Sequence, residues 1–344
     1  MVTIRDVARE AGVSVASVSR ALNGHGGVTA ETAARIRQIA AQLRYVPDMA
    51  ARSLITRRTH TIGVLLPDLY GEFFSELIRG IDLAARPRGL HLLVSSSHGD
   101  VEEAALAMRA MQGRVDGMLI LSPWVDAAFL QANLPAGLPV VLLNSALESG
   151  EYGVLNLDNY GGAYAMTRHL IAARGSAVAF IGGPAANYDA RQREAGYRDA
   201  LAAFAPGTAP CVLPGEFTED SGYRAGLALL ALPTLPQAVF AANDMMALGC
   251  LHALRQAGLN VPQDMGLAGF DDIPIARYLD PPLTTVEVRI AEWGRCALET
   301  LVARLDGPPA AVPEDTLFAA CRVRVRGSCG ATTATASTGS ITNP

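Results

Sequence analysis

From residue 61 onward the sequence alternates short apolar runs with amphipathic helical stretches, and that alternation restricts the fold more than any other feature of the chain. The runs TIGVLLPD, HLLVSSS, DGMLILS and PVVLLN are separated by helix-period segments around 72–87 and 101–112 and by a further helix. Runs this short and this apolar read as strands buried on both faces, so a parallel sheet covered by helices on both sides is predicted. A second series begins near residue 160: helix 159–173, AVAFIGG, helix 189–204, a strand near 211, helix 218–230, AVFAAND, helix 244–257 and MGLAGFDD. An α/β core of two parallel-sheet lobes is therefore expected over residues 61–330. LTTVEV, a helix over 289–304 and a last strand within TLFAACRVRVRG complete it. Residues 331–344, ATTATASTGSITNP, are polar and of low complexity, and a disordered tail is expected there. The sheet pattern alone suits sugar-binding transport proteins as well as flavodoxin-like enzymes.

The first 60 residues differ in kind. They carry nine Arg against four Asp and Glu, whereas the whole chain has a formal charge of −5, so a basic head sits on an acidic body. That asymmetry is the footprint of a polyanionic partner confined to the head. In TIRDVAREAGVSVASVSRALN (3–23), Ile4, Val7 and Ala8 recur at helical spacing, Gly12 interrupts, and Val15, Val18 and Leu22 resume. Thr3 and Ser14 stand at N-cap positions and Gly12 suits a left-handed turn, which predicts two short helices in an all-α helix-turn-helix headpiece over 1–46. The second helix keeps Val18 and Leu22 inward and turns Ala16, Ser17, Ser19 and Arg20 outward. A third helix over about 30–44 follows Thr29 and buries Ala33, Ile36, Ile39, Ala40 and Leu43.

Composition removes several chemistries. All 28 basic residues are Arg, so a P-loop lysine, a pyridoxal Schiff base and a protein-kinase strand lysine are each impossible. The five Cys form no CxxC pair, no two His stand four residues apart, and neither GxSxG nor GxGxxG occurs. No metal site, no cofactor and no catalytic residues are expected. The N-terminus lacks an apolar signal core and no run of about 18 apolar residues is present, so a cytoplasmic protein without a membrane partner is expected.

The headpiece resembles the lactose-repressor (LacI) family, whose members begin T-[IL]-x-D-V-A-x-x-A-G-V-S-x-x-T-V-S-R-x-[LI]-N, with Ser17 here where Thr is commoner. The likeness extends over residues 2–329 and includes DNYGGAY (158–164), ANDMMALG (242–249) and GFDDIPIARYLDPPLTTV (269–286). It implies a periplasmic-binding-protein-like core whose lobes are each discontinuous in sequence. It further implies that Val15, Ala16 and Arg20 meet base edges in the major groove, while Ser14, Ser17, Ser19 and Asn23 mostly contact phosphate. Arg20 carries the sharper expectation, because its fork matches the O6 and N7 acceptors of guanine. Residues 47–60, PDMAARSLITRRTH, form a hinge in which Leu54 would wedge into the minor groove at the operator centre. Arg57 and Arg58 there either touch phosphate or keep the linker solvated. The family becomes tetrameric through a C-terminal Leu heptad, which this tail lacks, so a homodimer is expected.

Ligands of open parallel sheets sit outside the carboxyl ends of the strands, and two facing lobes make a cleft there. Asp68, Asn144, Asn243, Asp244 and Asp271 all stand where strands end, and family matching adds Phe73, Phe74, Arg191 and Phe217. Carboxylates accept from vicinal hydroxyls, Arg donates several bonds and aromatic faces cover C–H faces, so Asp68, Arg191 and Asp271 together point to a polyol. The expected effector site is Asp68, Phe73, Asn144, Arg191, Phe217, Asn243 and Asp271. Asp244 is read as capping its own helix, Phe74 as core and Arg193 as a salt-bridge partner; Trp124 could line the cleft. The expected function is a repressor that binds double-stranded palindromic operator DNA and responds to a small-molecule effector, a sugar. The rival readings are a regulator responding to a non-sugar metabolite such as a nucleobase, a sugar-binding protein without regulatory role, and an enzyme on the same sheet architecture.

Overall fold

The structure is a computed structural model that describes residues 2–23, 26–45, 58–122, 125–147, 150–307, 318–319 and 321–331. It divides into two units, Met1–Thr59 and His60–Pro344. Hinge residue Leu54, Arg57, Trp124 and almost all of the 331–344 tail lie outside the described residues.

The first unit consists of α1 (Ile4–Ala11), α2 (Val15–Asn23) and α3 (Ala30–Gln42). Helix α1 starts because Asp6 reaches back to Thr3, accepting from its backbone N–H at 3.0 Å and its hydroxyl at 2.8 Å. It stops at Gly12, whose φ of 63° a side chain would oppose. Val7, Val18 and Ile36, all fully buried, meet at the centre. Ala21 shares that core, while Leu22 is only half-buried and Ser17 and Ser19 are half-buried rather than fully outward. Arg35 donates to the Ala11 carbonyl at 3.0 Å, fastening α3 to the turn.

The second unit holds two six-stranded sheets. The first lobe is built from β1 (Thr61–Leu66), α4 (Glu72–Ala85), β2 (His91–Ser96), α5 (Val101–Met111), β3 (Gly117–Leu121), α6 (Ala127–Asn133), β4 (Val140–Leu143) and β5 (Gly153–Leu157). The second is built from α7 (Asn159–Arg174), β6 (Val178–Ile181), α8 (Tyr188–Phe204), β7 (Cys211–Leu213), α9 (Glu219–Leu230), β8 (Ala238–Ala241), α10 (Asp244–Gln256), β9 (Gly266–Asp271) and β10 (Thr284–Glu287). Helix α11 (Ile290–Asp306) returns to pack on α4, β11 (Phe318–Ala319) joins β5, and β12 (Arg322–Arg324) joins β10. The sheet orders are β11-β5-β4-β3-β1-β2 and β12-β10-β9-β8-β6-β7, parallel throughout except for β12. The chain thus passes between lobes after β5, after β10 and between β11 and β12. Among the described residues no helix is long and apolar enough to cross a membrane.

Two differences from the sequence reading have physical causes. Strand β5 was not anticipated, because Asn156 interrupts the short apolar run GVLNL; its side chain is buried and bonds the backbone of Ser145 in both directions, at 2.9 and 3.0 Å. The single last strand is instead two short ones, each completing a different sheet.

Helices α4 and α11 touch through glycine. A Cβ at Gly80 would overlap the backbone carbonyl of Ala291, and one at Gly294 would stand 2.6 Å from the Leu77 carbonyl. Gly80→Val should therefore force the helices apart and lower core stability by about 1–3 kcal/mol, read as a fall in the thermal midpoint. An unchanged midpoint would show that this helix pair separates without loss.

Candidate functional site

Two surfaces carry residues that folding alone does not call for. The first is the outer face of α2. Ser14 caps the helix, its hydroxyl accepting from Ser17 N–H at 3.1 Å and sharing a hydrogen bond with the Ser17 hydroxyl at 2.9 Å. Val15 is 41% exposed and Ala16 is exposed beside it. Arg20 is exposed, with its Nε donating to the Ala16 carbonyl at 3.3 Å, one turn back. The helix therefore presents two apolar residues and one cation, with Ser17 and Ser19 at its flanks. The side chain of Asn23 lies outside the described residues.

The second surface is a cavity of ≈ 280 Å³ at the carboxyl ends of both sheets. The strand order places it correctly: β1 lies between β2 and β3, and β6 between β7 and β8, so in each sheet the order of the strands reverses at its first strand. Asp68, Phe73, Asn144, Phe217, Asn243 and Asp271 all line it, and Phe74, read from sequence as core, lines it too.

The two asparagines hold the wall. Asn144 accepts from Leu157 N–H at 2.9 Å and donates to Asp189 at 2.9 Å. Asn243 caps α10 by accepting from Met246 N–H at 2.9 Å and donates to the Phe217 carbonyl at 3.0 Å. Asp244 does not cap its own helix as expected: its buried carboxylate accepts from the Thr285 hydroxyl at 2.6 Å and Ile273 N–H at 3.0 Å.

Arg191 is not part of the lining. Its guanidinium folds back on the carbonyl of Ala186 at 2.6 Å, in the loop before α8. Residues two apart on a helix point about 200° away from each other, so only one of Arg191 and Arg193 can face the cavity, and it is Arg193. That arginine is buried, with Nε donating to Asn159 Oδ1 at 2.8 Å and Nη1 to the Ala242 carbonyl at 2.5 Å. Its guanidinium lies 3.7 Å from the Phe270 ring centroid, and Nη1 is 3.2 Å from Asp271 Oδ1. The contact with Asp271 is an ion pair without hydrogen-bond alignment, and Oδ1 is left buried with no hydrogen-bond partner among the described residues.

Asp189, which sequence reasoning missed, completes the site. It lines the cavity and accepts from Asn144 and from Asn159 Nδ2 at 3.0 Å. The available signal was its i,i+4 spacing to Arg193 on one face of α8. Desolvation pushes Asp271 up to about 7 against the pull of Arg193, and it pushes Asp189 up to about 6 against Arg193 and the two asparagine amides. Asp244, behind them, is raised by burial and by Asp271. Cross-lobe contacts ring the cavity: Tyr70 donates to Glu219 at 3.0 Å, Ile275 N–H donates to Glu72 at 2.8 Å, and Asn144 donates to Asp189.

A helix-turn-helix unit with an exposed second helix, on one chain with a two-lobed ligand cavity, defines a DNA-binding regulator with a sensing core. The model of bacterial regulatory proteins of the lacI family matches residues 3–48, and that of the periplasmic binding protein-like domain matches residues 167–329. The ribose operon repressor of Escherichia coli K12 is 35% identical over 317 residues, covering 90% of this chain and 94% of that repressor. The chain belongs to the lacI family of bacterial regulatory proteins. The Lac repressor dimer bound to operator and the anti-inducer ONPF superposes with a TM-score of 0.87 at 27% identity, covering 96% of this chain and 99% of that one. A LacI family regulator from Enterococcus faecium with bound ribose matches at a TM-score of 0.68 and 28% identity, covering 78% of this chain and 98% of that one.

The raised carboxyl of Asp271 has a consequence for stability. Its folded value of about 7 stands above the ordinary 3.8, so the folded state holds the proton more tightly than the unfolded state. The stability linked to it is fully present below pH ~4 and is lost as pH rises through ~7. Asp271→Asn cannot titrate, so its stability should gain on the wild type between pH 5 and pH 8 by on the order of 1–4 kcal/mol, read as a rise of its thermal midpoint relative to the wild type. Parallel pH profiles for the two proteins would locate the titration elsewhere.

Proposed function

We propose that this protein is a transcriptional repressor that binds a palindromic operator as a homodimer and changes its operator affinity when a sugar fills the cavity. The carrying observation is the composition of that cavity: carboxylates on both lobes, one buried guanidinium, and the rings of Phe73, Phe74 and Phe217. Ionised carboxylates accept from vicinal hydroxyls while rings cover the C–H faces of a pyranose or furanose. The volume, ≈ 280 Å³, falls just below the usual ligand range of ~300–1,000 Å³, which suits a monosaccharide. The ribose operon repressor and the ribose-bound regulator make D-ribose the first sugar to try. The cavity is read as a binding site without turnover.

The working division is a DNA-binding headpiece over 1–46, a hinge over 47–60 that carries the minor-groove wedge Leu54, and a sensing and dimerising core over 61–330. On α2, Val15 and Ala16 supply apolar contact, Arg20 reads a guanine, and Ser14, Ser17, Ser19 and Asn23 hold phosphates. Effector and operator affinities are then linked, and each changes the other by the same factor, typically about 5- to 150-fold.

Two measurements test this reading. Arg20→Ala should weaken operator binding by about 1–3 kcal/mol and abolish preference at one guanine per half-site. Equal weakening on all sequences would reassign Arg20 to phosphate. In a thermal-shift screen of monosaccharides on the full chain, a bound sugar raises the midpoint. Arg193→Gln should remove that rise and Arg191→Ala should keep it; the opposite pattern would return the site to Arg191.

A further inference from the structure

The cavity has an unusual balance of charge. Asp68, Asp189, Glu216 and Asp271 line it, and Arg193 is the one arginine among the lining residues, with His98 at the edge. Arg193 is already engaged by Asn159, Ala242 and Asp271 through Nε and Nη1, so at most Nη2 remains for an incoming group and the two-nitrogen fork is not free. Glu216 is paired outward with Arg224 at 2.8 Å. Asp272, next to Asp271, is held by Arg326 at 2.6 Å, so that arginine is committed behind the site rather than in it.

Helix N-termini are the other usual holders of anions. Those of α8, α9 and α10 around this cavity each already give an N–H to a side-chain cap from within the chain. Asn187 caps α8 by accepting from Ala190 N–H, Thr218 caps α9 by accepting from Ser221 N–H, and Asn243 caps α10. The start of α4 has no side-chain cap at Gly71, but acids stand on either side of it: Glu72 in its first turn, and Asp68, which already takes the N–H groups of Leu69 and Tyr70. Acceptors, in contrast, are open. Asp271 lines the cavity with its Oδ1 ion-paired to Arg193 at 3.2 Å but accepting no hydrogen bond among the described residues, and each Asp189 oxygen takes one amide N–H and retains a second lone pair.

We propose that this cavity selects by charge: it takes an uncharged polyol whose hydroxyls donate to Asp271 and Asp189, it rejects phosphorylated sugars and sugar acids, and Asp189 sets that rejection. This rests on the reading of the cavity as a sugar site. A hydroxyl can donate to these carboxylates, whereas the phosphate of a sugar phosphate or the carboxylate of a uronate puts acceptors and a like charge where that hydroxyl would stand. Asp189 holds the second carboxylate against a guanidinium that Asp271 already shares, so removing its charge leaves the pair Arg193–Asp271 neutral and the rejection weakened.

The test is titration calorimetry of the full chain at pH 7.5 with D-ribose, D-xylose, D-glucose and D-galactose, followed by the phosphate monoester of whichever binds best. Its uronic acid is compared with the uronamide, which has the same bulk without the charge. The phosphate and the acid should bind at least tenfold more weakly than the parent sugar and the uronamide. Asp189→Asn should narrow the acid-to-uronamide ratio at least threefold, with Asp189→Ser used if the asparagine variant loses its melting transition. A phosphate or acid binding as tightly as its uncharged counterpart would overturn charge selection while leaving the sugar reading standing. An unchanged ratio in the Asp189 variant would remove Asp189 from that role. Failure of every sugar, charged or not, would overturn the sugar reading and this inference with it.

Discussion

A guanidinium with 4% of its side chain exposed organises the second lobe. A buried charge left without partners is penalised by several kcal/mol, so the groups around Arg193 are conditions of folding as much as features of a site. They come from places far apart in sequence: Asn159 at the start of α7, the Ala242 carbonyl after β8, Phe270 and Asp271 at the end of β9. Asn159 is the second residue after β5, where the chain first passes between lobes. One side chain therefore fixes the ends of two adjacent strands and the point where the second lobe begins. The asparagine network extends the arrangement across the cleft, since Asp189 is shared by Asn159 of the second lobe and Asn144 of the first.

The headpiece works on the opposite principle. Its core is small and made of Val7, Val18 and Ile36 with alanines between, which leaves the outer face of α2, apart from the Ser14 cap, outside the packed core. Val15 stands in water at the start of that helix, where a polar residue would serve folding better, which accords with the contact role proposed for this face. The second unit carries the polar groups of its cavity inside and must satisfy them; the headpiece carries Val15, Ala16 and Arg20 outside, where truncating them should change stability little.

How much of this could be read from the sequence depended on period and position. Strand ends are legible because apolar runs end there, and so Asp68, Asn144, Asn243 and Asp271 could be placed at the cavity without coordinates. Helix register near a loop is not: NYDARQREAGY offers two arginines, and only the packing of α8 on the sheet shows that Arg193 turns inward while Arg191 bends back on Ala186. Asp189 was hidden for the same reason, as it reads as an ordinary acidic residue in a helix's first turn. Strand β5 was obscured by Asn156, a buried polar residue whose bonds to Ser145 no periodicity could announce.

Asp271 concentrates three unfavourable features in one residue. Its φ is 113°, a region that side chains avoid at a penalty of order 1–3 kcal/mol; its Oδ1 is buried without a hydrogen bond; and its carboxyl is driven up to about 7 by desolvation. Features of this kind persist where the surrounding structure imposes them, and here Arg193 and the end of β9 do so. A ligand hydroxyl donating to the Asp271 carboxylate would ease the second and the third, while a ligand touching only the aromatic wall would ease neither. Four residues further on, Ile275 N–H bonds Glu72 of the first lobe, so the strand end that a ligand would relax leads directly into a contact that joins the lobes. A cavity-lining carboxylate and a contact between the lobes therefore lie in one short stretch, Asp271 to Ile275. Differential stabilisation of a closed over an open arrangement is what a ligand must supply to shift a two-state regulator, and the relief available at Asp271 is a source for it that depends on hydroxyl donors rather than on shape alone.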